Sequence, residues 1–231
     1  MLDTTTSALL DNPGWSALNS HHAHFALGDE LAKRYPREMS PIAGVSEAHP
    51  SNVSALEKLV EVGDSVAIAG LIPPFSSNWM VSFESMAVQM ICQEPIDVPE
   101  SDSKIITLST SDIPEMISLV ELTHPGPFLQ RTIEMGEYLG IRQNGKLVAM
   151  AGERMFFQNC REVSAVCTHP EFLGRGYASH IVGVLVNEIL KKDQISFLQV
   201  VVSNERARKV YEKLGFRVRT EFPLAFIQRV E

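Results

Sequence analysis

The stretch from residue 162 to residue 190 constrains the fold most, because it reads as a strand, a turn with two glycines and an amphipathic helix in direct succession. Residues 162–168 have the pattern of a strand. After the turn Leu173-Gly174-Arg175-Gly176-Tyr177-Ala178, apolar positions recur at three- and four-residue steps through Ile181, Val182, Leu185, Ile189 and Leu190. That spacing predicts a helix of about four turns with one buried face. Such a unit aims unpaired backbone N–H groups and the positive end of a helix dipole at one point, which makes an anion site. Gly174 and Gly176 allow close backbone approach. No Gly-Lys-Ser/Thr follows, and the spacing is not Gly-x-Gly-x-x-Gly, so neither a mononucleotide P-loop nor a dinucleotide fingerprint is present.

Elements around this unit predict a mixed α/β fold. Residues 196–202 form a nearly continuous apolar run, as expected of a strand covered on both faces. A helix from Ser203 or Asn204 should bury Ala207, Val210, Tyr211 and Leu214 and stop at Gly215, with strands at 216–219 and 224–228 completing the sheet. Upstream, residues 104–108 read as a strand, and Asp112-Ile113-Pro114-Glu115 starts a helix to about Leu122. Strands at 137–142 and 146–155 flank Gln143-Asn144-Gly145, a strong hairpin signal. Residues 94–104, EPIDVPESDSK, carry two prolines, four acidic residues and two serines and read as a linker or exposed connection. We therefore expect a smaller α/β domain over 1–100 and a second domain over 104–231. In the first, 51–61 reads as a helix, 65–70 as a strand, and 79–92 as two short strands or a strand and a helix.

Composition narrows the functional classes. With 45% hydrophobic and 21% charged residues, the chain is of the soluble globular type. A formal charge of -8 argues against a general nucleic-acid binder and leaves room for a cationic substrate. Cys92, Cys160 and Cys167 show neither zinc-ribbon nor disulfide spacing, which suggests a reducing cytoplasm. The N-terminus lacks the basic and apolar regions of a signal peptide, and the apolar run 181–186 is far shorter than the ~20 residues of a membrane span, so no membrane role is expected. His21, His22 and His24 have no cysteine or carboxylate partners at ligand spacing, so no metal is expected.

A second constellation, Asn204-x-x-Ala207-x-x-x-Tyr211-x-x-x-Gly215-Phe216, follows the turn on the next strand–helix unit. Together the two resemble the GNAT superfamily of acyl-coenzyme A N-acyltransferases, over essentially everything after residue 104. The family carries Arg/Gln-x-x-Gly-x-Gly/Ala at the turn. Leu173 departs from it, standing where Arg or Gln is usual. The resemblance implies a central mixed, mostly antiparallel sheet flanked by helices, with the N-terminal part as a possible degenerate half of the same fold. It also implies acetyl-coenzyme A as donor and direct attack by a primary amine, on a small molecule or a peptide, in a ternary complex. An acyl-coenzyme A sensor without turnover is the alternative.

By this resemblance, Gly174, Arg175, Gly176, Tyr177 and Ala178 hold the pyrophosphate, Arg175 supplying charge that Leu173 lacks. The strand Val166-Cys167-Thr168 runs along the pantetheine arm, and one of its N–H groups polarises the thioester carbonyl. Asn204 bonds the pantetheine or orders water, and Tyr211 protonates the departing thiolate. Glu162 is the first candidate for general base and Glu153 the second. Cys167 suggests an acyl-cysteine only if a base lies near it. His124, in Thr123-His124-Pro125-Gly126-Pro127-Phe128, is a candidate substrate-loop residue, and Arg206, Arg208 and Lys209 are candidates for the 3′-phosphate.

Overall fold

The computed structural model describes residues 2–98 and 103–231. Its first hundred residues contain α1 (Thr4–Asp11), α2 (Pro13–Leu18), β1 (Leu27–Gly28), β2 (Ala32–Arg34), β3 (Ala43–Val45), α3 (Pro50–Glu57), β4 (Ser65–Ala69) and β5 (Trp79–Cys92). The remainder contains β6 (Ile105–Thr107), α4 (Ile113–Thr123), β7 (Tyr138–Gln143), β8 (Lys146–Phe157), β9 (Cys160–Thr168), α5 (Tyr177–Leu190), β10 (Ile195–Val201), α6 (Glu205–Lys213) and β11 (Arg217–Arg229). Asn144 and Gly145 make the β7–β8 turn with φ of 50° and 81°, the left-handed pair that the dipeptide predicts. Helix α4 starts at Ile113 with Asp112 at the N-cap and Pro114 in the first turn, as expected, but the Asp112 side chain makes no cap bond to α4 and instead closes a capping box with Ser109 around a 3-10 turn at Thr110–Asp112.

Eight strands form one sheet in the order β4-β11-β5-β10-β9-β8-β7-β6, and β1, β2 and β3 form a small separate one. Every pair in the large sheet is antiparallel except β9 with β10. This is the mixed, mostly antiparallel sheet expected, and strands from both of the expected domains belong to it. Strand β5 is a single 14-residue strand inserted between β10 and β11, and β4 closes the edge beyond β11. The first hundred residues thus complete the sheet of the rest, and are not a separate layer. Nor is residue 94–98 a free linker: Ile96 exchanges two backbone hydrogen bonds with the Asn187 amide on α5, both at 2.9 Å. Residues 99–102 of the expected linker lie outside the described residues.

Alternation along the strands divides the core. Leu198 and Val200 of β10 face the layer of α5 and α6, whereas Phe197 faces the cluster containing Leu10 and Ala17 of α1 and α2. On α5, Ile181, Val182, Leu185, Val186 and Ile189 are all at most 1% exposed, and burial of each is worth about 1.5–3 kcal/mol. Polar bonds also fasten the N-terminal segment. Gln89, fully buried on β5, donates to the Leu10 carbonyl at 2.8 Å and accepts from Arg219 of β11 at 2.9 Å. Arg219 in turn reaches Asp11 at 2.6 Å.

Two outcomes follow. A fragment of residues 104–231 lacks the strand between β10 and β11, and should show no cooperative thermal transition by circular dichroism; a soluble fragment that melts cooperatively would show β5 to be dispensable. Burial pushes His22 down to about 4, below its unfolded value, with His24 and Arg161 acting in the same direction. The stabilisation from neutral His22 is therefore complete above about pH 6.5 and is lost as pH falls through about 4, by about 3 kcal/mol in all. Urea midpoints across that range should fall less steeply in His22→Gln than in the unsubstituted protein.

Candidate active site

Strands β9 and β10 pair at only three positions, Cys160 with Ile195, Arg161 with Ser196 and Glu162 with Phe197. Beyond Glu162 they part, while β10 stays paired to β5 as far as Val201. The β9 edge facing β10 from Val163 to Thr168 is consequently without a strand partner, and its backbone groups border an open wedge. Within it lies a β-bulge. Met150 pairs with Cys167 and Gly152 with Ser164, so Ala165 and Val166 stand opposite Ala151 alone, and Ala165 takes a φ of 52°. A bulge of this kind re-aims backbone groups and twists the strand locally.

Two cavities meet in this wedge. The larger, of 490 Å³, is lined by Val166, Cys167 and Thr168, by Leu173, Gly174, Gly176, Tyr177 and Ala178 of the turn, and by Asn204, Arg206 and Tyr211. Gly174 and Gly176 both have φ of 77°, and a Cβ on either would meet no atom within 4 Å. Their requirement is one of backbone conformation, and the space before them is open. Gly176 caps α5 without a side-chain bond, and the first intrahelical bond runs from His180 N–H to the Gly176 carbonyl at 2.9 Å. The N–H groups of Tyr177, Ala178 and Ser179 therefore have no partner within the helix. The Thr168 hydroxyl oxygen, on a residue that lines this cavity, is buried without a hydrogen-bond partner among the described residues. An unpaired strand edge, a helix N-terminus and an orphan hydroxyl suit an extended ligand with amides at one end and phosphate at the other.

The second cavity, of 290 Å³, shares His124, Pro125, Val166, Asn204, Ala207 and Tyr211 with the first. Its other walls include Pro13, Gly14 and Ile42 from the N-terminal segment, Phe83 and Ala87 of β5, and Arg154 and Gln199. Tyr211 stands at the junction. Burial pushes its hydroxyl up to about 12, so it carries its proton throughout the neutral range. Asn204 caps α6, its side-chain oxygen accepting from Ala207 N–H at 3.1 Å. Of the basic residues on α6, Arg206 lines the cleft, while Arg208 and Lys209 pair with Glu212 and Glu205 one turn away.

Two expected site residues are placed elsewhere. Arg175 does not line either cavity. Its guanidinium lies 4.8 Å from the centre of the Phe172 ring. Glu162 is fully buried and accepts from Arg154 on both carboxylate oxygens, at 2.8 Å each, so it is held in an ion pair rather than presented to either cavity. Glu153 is likewise buried, bonded to Arg161 at 2.6 Å and accepting from Glu137 N–H at 3.2 Å. Neither glutamate lines a cavity. Cys167 lines the cleft, but burial pushes its thiol up to about 11, so it is a protonated packing group at neutral pH. His22 is buried and bonded to the Tyr35 hydroxyl at 2.8 Å, and among the described residues no three His, Cys, Asp or Glu side chains are gathered to hold a metal. No helix there is long and apolar enough to cross a membrane.

Comparison with known proteins supplies the family. The family model described as FR47-like protein matches residues 138–223. The structure of a putative acetyltransferase of the GNAT family from Novosphingobium aromaticivorans is 30% identical, with a TM-score of 0.88 over 95% of this chain and 98% of that one. A GCN5-related N-acetyltransferase from Kribbella flavida shares the fold at 12% identity, with a TM-score of 0.63 and 94% of each chain covered. So does a GCN5-related N-acetyltransferase-like protein from Streptococcus suis, at 14% identity and a TM-score of 0.59, over 97% of this chain and 98% of that one. No curated protein matches the sequence.

Removing one partner of a buried ion pair strands the other charge, so Glu162→Ala should lower stability by about 3–5 kcal/mol in denaturant unfolding. A loss under about 1 kcal/mol would mean that Arg154 finds another partner or solvent.

Proposed function

This chain belongs to the GNAT superfamily of acyltransferases, and on that premise we propose that it transfers an acetyl group from acetyl-coenzyme A to a primary amine by direct attack in a ternary complex. The observation that carries this reading is the meeting of the two cavities at Tyr211 and Val166. One cavity has the unpaired strand edge, the orphan Thr168 hydroxyl and the helix N-terminus that suit pantetheine and pyrophosphate. The other is a separate chamber for the acceptor. At their junction, the amine nitrogen bonds to the thioester carbonyl carbon, and the carbon–sulfur bond breaks. A backbone N–H of the bulged β9 segment faces the developing oxyanion. Tyr211 gives its proton to the departing thiolate.

The acceptor must also lose a proton. With Glu162 and Glu153 held in ion pairs, His124 is the base-capable side chain that lines both cavities. It occupies the left-handed C-cap of α4 with φ of 49° and is exposed, so a proton taken there passes directly to solvent. Three buried, unpaired cysteines suit a reducing cytoplasm.

Tyr211→Phe removes the acid and keeps the ring, so turnover in a thiol-release assay should fall by about 10²-fold or more while acetyl-coenzyme A affinity by calorimetry stays within a few-fold. Unchanged turnover would remove Tyr211 from the chemistry. Tight binding with no thiol release by unsubstituted protein over a broad amine panel would favour the sensor instead.

A further inference from the structure

The acceptor cavity has a polar inventory that selects among amines. Its lining contains no aspartate or glutamate, so nothing there is placed to receive a second ammonium group. It does contain Arg154, whose side chain is 14% exposed against 1% for its partner Glu162. Arg154 sits in a second bulge: Glu153 pairs with Val163 and Phe156 with Arg161, so Arg154 and Met155 stand opposite Glu162 alone. The guanidinium binds Glu162 through Nε and Nη2 only. Its third nitrogen, Nη1, forms no hydrogen bond to a described residue. A second donor, Nε2 of Gln199, which lines the same cavity, is buried without a partner among the described residues.

We propose that Arg154 Nη1 and Gln199 Nε2 anchor a carboxylate on the acceptor, making the substrate an α-amino acid, or a close analogue, with an apolar side chain. The claim rests on the acyl-transfer reading and specifies its acceptor. Glu162 acts here as a positioning residue. Its two bonds fix the plane of the guanidinium and leave Nη1 for a ligand in the cavity that Arg154 lines, where a charge-assisted hydrogen bond is strong. Ile42, Phe83, Leu198 and Phe226 supply apolar wall for the side chain. Diamines and polyamines are disfavoured, because a second cation would meet Arg154 and no carboxylate.

The test compares leucine with isoamylamine, the same skeleton without the carboxylate, on the full chain. Affinity is read by calorimetry in the presence of coenzyme A, and turnover by thiol release from acetyl-coenzyme A. Leucine should exceed isoamylamine by about 10²-fold in affinity and in kcat/KM. Arg154→Lys, which keeps a charge beside Glu162 but loses the fork, should raise KM for leucine about 10-fold or more with kcat within a few-fold, and should shrink the preference for leucine over isoamylamine by a similar factor. Leucine binding without any thiol release would support the anchor and sink the transfer reading. Equal affinity for the two compounds, or turnover of isoamylamine matching that of leucine, would overturn the anchor and leave acyl transfer standing.

Discussion

Strand β10 is held along six residue pairs by β5 and along only three by β9, and the wedge that this inequality opens determines what the molecule can bind. Backbone groups on the free β9 edge need partners, and an extended ligand carrying amides is the natural complement. Because β5 holds β10 away from β9's outer half, the segment that supplies β5 shapes the cleft as directly as the strands that line it. The same segment lends Pro13, Gly14, Ile42 and Phe83 to the second cavity. The match to a GNAT-family structure covers 95% of the chain and so takes in most of the first hundred residues.

Two buried ion pairs stand at the closed end of the wedge. Arg154–Glu162 and Arg161–Glu153 cross between β8 and β9, and Arg161 and Glu162 are two of the three residues where β9 still pairs with β10. Buried pairs of this kind contribute little net stability compared with apolar packing, but either one broken is costly. Their effect is to fix the register and the bulges from which the cleft opens. The same bonds that hold Glu162 in an ion pair fix the guanidinium of Arg154, which lines the second cavity.

Local features were legible in the sequence because local chemistry decides them. Asn144-Gly145, the glycines of the turn, the Asn204 cap and the apolar stripe of α5 each act within a few residues, and each is found where expected. Tyr211 was singled out by its spacing from Asn204, and it lines both cavities. Long-range pairing was not legible. The acidic, proline-containing stretch after Glu94 looks like a boundary because composition does not reveal that Ile96 docks on Asn187. A 14-residue strand over 79–92 is obscured by its many exposed residues, since its first half is covered on one side only by β11. Glu162 read as a free base because a sequence shows a carboxylate but not the arginine eight residues away that faces it across a bulge. The alternating charges at 153, 154, 161 and 162 were the available signal for that pairing.

A crystal structure with acetyl-coenzyme A bound tests the account most directly. The pyrophosphate should rest against the N–H groups from Gly174 to Ala178, the pantetheine should run along Val166 to Thr168 with the Thr168 hydroxyl engaged, and the thioester should lie beside Tyr211. Coenzyme A density outside the wedge between β9 and β10, or the turn's N–H groups directed away from the phosphates, would contradict it.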